Sequence, residues 1–263
     1  MLIAFGLAWA LWIPAWLLHI PPTSELFQWL FLAGAFAPAL GTIIVRRWIT
    51  HEGFADAGLH LHLRSTWPYY LFAGLYPPLM LGGSLVLALA FGFSIRTGVF
   101  ADIVPSYMAY LVLFPPFWGE EFGWRSYLQI RLFSARPLLA ALATGGIWGV
   151  WHYPAVLAGY LPNEHGLLGV LLYGWYMIPF SIILGWLRLR TGSIWPPTLA
   201  HLANNAIGPL LLSALFLSGG QGDLLFSLRG WLAVIPLVIL CIWIVFSRQL
   251  KPQTSAPLPQ ARR

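Results

Sequence analysis

Long apolar runs, separated by short polar or Gly- and Pro-rich breaks, dominate the chain. A helix needs about 20 apolar residues to cross the roughly 30 Å hydrocarbon core of a bilayer. Eight runs come close to or exceed that length, which predicts an all-α, polytopic membrane protein of about eight transmembrane helices. The predicted spans are Leu2–Ile20, Leu26–Val45, Trp67–Phe93, Ser106–Ile130, Leu138–Tyr160, Gly166–Leu187, Ile194–Leu217 and Trp231–Phe246.

The breaks between these runs indicate how the chain is organised. They predict a single integral membrane domain over residues 1–250 and a disordered tail over 251–263. The only long polar connection, residues 46–66, predicts a short interfacial helix. No Lys or Arg precedes the first apolar run, so that run is expected to stay as a span and not to be removed as a signal peptide.

Composition supports the membrane class, and the distribution of positive charge predicts the topology. With 59% hydrophobic and 8% charged residues, the chain does not fit a soluble protein with a polar surface. Lys and Arg in short loops collect on the cytosolic side, and 11 of the 14 follow an even-numbered span. The pattern therefore predicts that both termini are cytosolic. The net charge of +6 reflects this topology, and no nucleic-acid partner is expected.

Two adjacent carboxylates, Glu120 and Glu121 in FWGEEFGWRSYL, lie well inside an apolar run. A charge at the centre of a membrane helix costs about 2.5–3.5 kcal/mol, so such residues indicate a functional site by default. Glu121 and Arg125 are four residues apart and share a helix face, which predicts an ion pair. Glu120 points about 100° away from Glu121 and needs another partner.

Two histidines, His152 in GIWGVWHYPA and His201 in TLAHLANNAIG, are the only ones deep in apolar spans. Helical spacing places Trp148 one turn from His152 and Asn205 one turn from His201. A carboxylate, an imidazole, and a second imidazole with an amide are sufficient to activate water and stabilise an oxyanion. The candidate chemistry is therefore peptide hydrolysis, with Glu120 turned toward the two histidines.

The same residues have other interpretations. A Glu–Arg pair can hold two helices together, and a buried histidine can satisfy a carbonyl group. A non-catalytic scaffold that binds a peptide in the same cavity is the main alternative, and a proton-coupled transporter with Glu120 as relay is a weaker one. Other protease patterns fit less well: HEGFA at 51–55 lacks the second His of H-E-x-x-H, and GQGD at 220–223 has no second aspartate within a span.

The segments EEFGWR, WGVWH and HLANN resemble, in order and in successive helices, three motifs of one known family. These are the E-E-x-x-x-R, F-x-x-x-H and H-x-x-x-N motifs of the CAAX prenyl protease type 2 and bacteriocin-processing (CPBP) family. The resemblance covers about residues 114–209, within the motif-bearing half at 106–217, and Trp148 stands where the family usually has Phe. It implies an intramembrane endopeptidase in the plasma membrane of a bacterium, with a cavity open toward the cytosol.

The resemblance also implies roles for the motif residues. Glu120 would be the general base, His152 would help to hold and activate the water, and His201 with Asn205 would form the oxyanion pocket. Glu121 and Arg125 would shape the site.

Metal use and substrate are further expectations. The family has been described both as metalloproteases and as glutamate proteases. A catalytic zinc site has three protein ligands plus water, and Glu120, His152 and His201 could supply three only if His201 left the oxyanion pocket, so catalysis without a metal is favoured. The expected partners are the bilayer and a peptide or protein substrate. That substrate is prenylated in eukaryotic members, whereas bacterial members are linked to peptide processing and bacteriocin immunity.

Depth in the membrane adds one constraint. Along straight helices, Glu120 and His201 lie roughly 12–15 Å from the cytosolic helix ends, but His152 lies about 20 Å or more from the start of the fifth span. The sequence therefore predicts that this span begins after Leu138, or that it is kinked or tilted. Gly145, Gly146 and Pro154 are the expected points of distortion.

Overall fold

A computed structural model describes residues 1–160, 166–216 and 228–251, and these residues form helices and loops without a strand. The GQGD segment and the predicted tail beyond Lys251 lie outside this range. The α-helices are α1 Leu2–Leu17, α2 Glu25–Ala35, α3 Ala37–Ile44, α4 Leu63–Ala90, α5 Ile103–Val112, α6 Phe114–Gly123, α7 Gln129–Arg131, α8 Pro137–Leu157, α9 Gly166–Thr191, α10 Trp195–Leu215 and α11 Leu228–Phe246. A 3₁₀-helix spans Thr97–Asp102, and π-helical turns span Val45–Ile49 and Trp124–Leu128.

Every predicted apolar run coincides with helical structure, which confirms the all-α class. By length and composition, three described stretches could cross a membrane: Glu25–Ile49, Leu63–Ala90 and Gly166–Thr191. A fourth is added if the bent pair Thr97–Val112 and Phe114–Arg131 is counted as one. The number of eight spans and the cytosolic termini stay predictions.

The fourth predicted span, Ser106–Ile130, is not one continuous helix. The chain breaks at Leu113, and the segments on either side of the break differ in direction by 66°. Pro115 and Pro116 follow in the first turn of α6. Proline lacks an amide hydrogen and fits the start of a helix better than its interior, so these residues end one helix and begin the next.

The predicted interfacial helix is wrong, because residues 50–62 form an irregular loop. Ion pairs between the buried Arg46, the partly exposed Arg131 and two acidic residues hold this loop instead. Asp56 Oδ1 lies 2.6 Å from Nη1 of Arg46, and Asp56 Oδ2 lies 2.9 Å from Nη2 of Arg131, which also pairs with Glu52. Burial alone would raise the pKa of Asp56, but the hydrogen bonds and positive charges of the two arginines outweigh it and lower the pKa. The loop is thereby tied to the end of the helical segment that carries Glu120.

The same loop is also tied to the start of α10. The amide of Ile194 donates to the carbonyl of Gly58 at 2.9 Å, and Nε1 of Trp195 donates to the carbonyl of Leu59 at 2.7 Å. Gly58 has a φ of +72°, and a side chain there would also meet the guanidinium group of Arg188 at 2.8 Å. The loop therefore joins the two elements that carry the carboxylates and His201.

The fifth predicted span forms α8, which packs closely against α9. α8 begins at Pro137, which excludes a start after Leu138, and the alternative of a kink or tilt stays a prediction. Pro154 lies inside the helix. A Cβ atom on Gly145 would lie 2.9 Å from Cα of Ile178, and one on Gly149 would lie 3.1 Å from Cα of Gly174. Two glycines four residues apart thus let the helix backbones approach each other, as small residues do in membrane helix pairs.

Gly145→Ala is expected to destabilise the protein, because the added methyl group would push α8 away from the backbone of α9. Overpacking of this kind costs about 1–3 kcal/mol. Gly146→Ala is the matched control, since a Cβ atom there meets nothing within 4 Å. Melting temperatures in detergent should fall for the first variant only. Equal melting temperatures for the two variants would contradict the packing argument.

Candidate active site

The two carboxylates are placed by the contact between α6 and α3. Gly123 has no room for a side chain, because a Cβ atom would lie 2.9 Å from Cα of Pro38. Glu120 and Glu121 precede this contact and are almost completely inaccessible, with exposed fractions of 5% and 0%. A carboxylate in such surroundings requires charged or hydrogen-bonding partners.

Glu121 has two partners. Its Oε1 atom lies 3.1 Å from Nη1 of Arg125, which confirms the ion pair expected from the four-residue spacing. The same oxygen lies 2.9 Å from Nδ1 of His201 on α10. The sequence predicts that Glu120 is turned toward His201 and gives Glu121 no histidine partner, so this second hydrogen bond is a contact that helix spacing did not reveal.

Trp148 on α8 is the partner of Glu120. Its indole Nε1 donates a hydrogen bond of 2.8 Å to Oε2 of Glu120. The guanidinium carbon of Arg125 lies 4.2 Å from the Trp148 ring, and the His201 ring meets that ring edge-on at 5.0 Å between centroids. Trp148 therefore contacts Glu120 and both partners of Glu121. A Phe at this position could not donate the hydrogen bond.

His152 lies one turn beyond Trp148, about 6 Å further along α8. Its Nδ1 atom lies 3.0 Å from the carbonyl oxygen of Trp148, a contact in which the ring donates and Nε2 keeps a lone pair. The ring packs against Trp151 and Tyr173, at 4.6 Å between centroids in both cases. Among the described residues it has no hydrogen bond to Glu120, which agrees with the difference in depth that the helix lengths predict.

A cavity of about 440 Å³ opens beside His201. Residues from α4, α9, α10 and α11 contribute to its wall, which is mostly apolar and aromatic. Asn205, the predicted partner of His201, lies in this wall together with Asn204. His201, which is hydrogen-bonded to the buried Glu121, therefore lies in the wall of this cavity.

Comparison with protein families identifies the segment that contains this site. Residues 102–207 match the family described as Type II CAAX prenyl endopeptidase Rce1-like. Residues 102–207 form an Rce1-like domain. The match includes all three motifs and confirms the family resemblance, and no curated protein matches the chain. This match, together with helices long and apolar enough to cross a membrane, supports an integral membrane protein. The matched family consists of endopeptidases, and endopeptidases are hydrolases.

Several polar atoms in the Rce1-like site have no hydrogen-bond partner among the described residues. They are Oε2 of Glu121, Nε and Nη2 of Arg125 and, from α4, the hydroxyl of Tyr76. Buried polar groups are ordinarily bonded to protein or water, so these donors and acceptors favour a hydrated site.

Glu120, His152 and His201 are the residues that could bind zinc according to the sequence. Within residues 1–160, 166–216 and 228–251, no three His, Cys, Asp or Glu side chains are grouped so that they could hold a metal ion. In the part of the chain that the structure describes, these three side chains are therefore not arranged as a metal-ligand set.

Residues outside the motifs also line the cavity of the Rce1-like domain. Tyr76 comes from α4, which precedes the matched segment, and Tyr176 comes from α9. Neither residue belongs to a polar pattern, so the sequence analysis missed both. The only signal for Tyr176 is its four-residue spacing from Phe180, whose ring contacts His201 at 5.6 Å between centroids.

Proposed function

We propose that the protein is an intramembrane endopeptidase that hydrolyses a peptide bond with a water molecule activated by Glu120. The observation that carries this proposal is the hydrogen bond of 2.9 Å between Glu121 and His201, which joins two of the three motifs beside a cavity. The match of residues 102–207 to a family of endopeptidases supports the reaction class.

Glu120 is the general base in this proposal. Its Oε2 atom is occupied by the indole of Trp148, which leaves Oε1 to take a proton from the attacking water. The water oxygen bonds to the carbonyl carbon of the substrate, and the carbonyl oxygen becomes the oxyanion. Glu120 then returns the proton to the leaving nitrogen as the C–N bond breaks.

His201 and Asn205 stabilise the oxyanion. In this proposal the hydrogen bond between Nδ1 and Glu121 orients the His201 ring, and Nε2 presents an N–H to the oxyanion. Asn205 adds an amide donor from the same helix face. Arg125 offsets the charge that Glu121 brings into the site.

His152 has the task of holding the water. Because its Nδ1 donates to the carbonyl of Trp148, Nε2 is left as an acceptor for a water hydrogen. His152 lies one turn beyond Trp148 and has no hydrogen bond to Glu120 among the described residues. In this proposal the water therefore bridges His152 and Glu120.

The substrate of this proposal is a membrane-associated peptide or protein with an apolar segment, because the cavity wall beside His201 is mostly apolar. The family description names prenylated CAAX proteins as the substrates of its members. A prenylated tail fits the proposal, as does an unmodified apolar peptide. The site is proposed to face the cytosol of a bacterial cell, where the predicted positive-inside topology places it.

The test is cleavage of a peptide library, prenylated and unmodified, by purified protein in detergent with and without a strong chelator. Cleavage is expected, and its rate should not change with the chelator because the mechanism routes no step through a metal. Loss of activity with the chelator and recovery with zinc would overturn the metal-free mechanism. Binding of peptides without any cleavage would favour the scaffold, and proton-coupled uptake by vesicles would favour the transporter.

Trp148→Phe is expected to reduce cleavage about 10- to 100-fold with the fold retained. A hydrogen bond to a charged group contributes about 1.5–3 kcal/mol, and Phe removes the donor to Glu120 but keeps an aromatic face for Arg125. Trp186→Phe is the control, because it removes the same volume from a buried position on α9 whose indole Nε1 has no hydrogen-bond partner among the described residues. Rates and melting curves should be compared, and equal activity in the two variants would contradict the role of the indole.

A further inference from the structure

Two adjacent asparagines on α10 line the cavity, but the H-x-x-x-N motif uses only Asn205. Asn204 is the other one, and it lies three residues from His201 on a neighbouring face of the helix. Neither side chain is fully buried, although both lie among apolar residues of the wall. The question is what the second amide contributes to the cavity.

Tyr176 on α9 fixes the orientation of the Asn204 amide. Its hydroxyl donates a hydrogen bond of 2.6 Å to Oδ1 of Asn204. With the oxygen engaged, Nδ2 carries the two donors that remain. No acceptor for Nδ2 is found among the described residues, and Asn204 borders the cavity.

Packing of the two helices makes this pair part of the site's architecture. Phe180 lies one turn from Tyr176 on α9, and its ring contacts His201 at 5.6 Å between centroids. The Tyr176–Asn204 bond is thus one turn further along the same helix contact. Three residues of helix correspond to about 4.5 Å along the axis, and one residue of extended peptide to about 3.3 Å. Asn204 is therefore at the height of a backbone group one to two residues from a peptide bond at His201.

We propose that Asn204 binds a backbone carbonyl of the substrate and that Tyr176 is the residue that positions it. The inference rests on the proposed function and adds to it a subsite that recognises main chain and not side chain. A carbonyl within an intact helix is already bonded within that helix. The substrate class is therefore a peptide segment that is extended at the site, and an intact transmembrane helix would have to unwind there before binding.

Binding of synthetic peptides to the Glu120→Gln protein tests the subsite without cleavage. The peptides share the sequence of the tightest-binding library member and differ in one amide, which is replaced by an alkene that has no carbonyl oxygen. One alkene peptide is expected to bind about 10-fold more weakly than its parent. With Asn204→Ala added to the protein, the same replacement should have no effect, because the two partners of one interaction are then both absent.

Tyr176→Phe should give an intermediate result, since it frees the Asn204 amide to rotate but does not remove it. It also keeps the test valid if Asn204→Ala fails to fold. Tyr153→Phe is the control, because it removes a phenol outside the cavity and should preserve the full effect of the alkene.

The outcomes separate this inference from the proposed function. If every alkene replacement weakens binding equally in the Glu120→Gln protein and in the Glu120→Gln, Asn204→Ala protein, the subsite is overturned and the peptidase is left intact. Selective loss at one amide, together with no cleavage by the unmodified chain, would sustain the subsite and overturn the peptidase. Absence of peptide binding by any variant would overturn both.

Discussion

Glu120→Gln is expected to lower the rate of peptide cleavage by about 10²- to 10⁴-fold, the usual contribution of a general base. The amide has almost the shape of the carboxylate, and its oxygen can still accept the hydrogen bond from Nε1 of Trp148. Only the capacity to take a proton from water is lost. The variant should therefore express and melt like the parent protein while its cleavage rate collapses.

Glu25→Gln is the control for this variant. It removes a carboxylate from the exposed first turn of α2, so it should leave both the rate and the melting curve unchanged. Initial rates on the best library peptide and thermal melting in the same detergent provide the comparison. Full activity of the Glu120→Gln protein would remove Glu120 from the mechanism, whatever the control shows.

Arg125→Met is expected to have the largest effect on stability. The guanidinium group is completely buried, pairs with Glu121 and stacks on Trp148. Removal of one partner of a buried ion pair costs about 3–5 kcal/mol, because the remaining charge stays out of water. Among the residues that the structure describes, His201 would be left as the only hydrogen-bonding partner of Glu121. Expression yield and melting temperature in detergent should both fall.

A second change distinguishes lost charge balance from lost packing. In the double variant Glu121→Gln with Arg125→Met, no buried charge is stranded, so part of the stability should return. Arg47→Met, at an exposed position, should leave the melting temperature unchanged. An unaltered melting curve for Arg125→Met, or a double variant no more stable than it, would contradict the argument from the ion pair.

Much of the helical structure follows from local sequence. The fifth run was predicted as Leu138–Tyr160 and forms α8 over Pro137–Leu157, and the sixth was predicted as Gly166–Leu187 and forms α9 over Gly166–Thr191. Apolar length sets the extent of such helices, and prolines and glycines mark their ends. The pairing of Glu121 with Arg125 is equally local, because four-residue spacing brings the two side chains together on any helix.

The differences arise where distant segments meet. The loop at residues 50–62 stays irregular because ion pairs with Arg46 and Arg131, together with bonds to the start of α10, hold its backbone. A polar sequence that could form an interfacial helix alone finds better partners in the folded protein. The break at Leu113 has a different cause: hydropathy does not change there, and the two prolines that follow begin a new helix.

By itself, the sequence determined that the protein is a helical membrane protein, which residues could carry chemistry, and to which family the motifs point. Those properties depend on hydropathy and spacing along one helix. Only the tertiary structure decided which carboxylate meets which partner. The bond from Glu121 to His201 joins residues 80 positions apart, and that from Glu120 to Trp148 joins residues 28 apart. Because adjacent residues on a helix point about 100° apart, the rotation of α6 against its neighbours sets the assignment, and that rotation is fixed by packing.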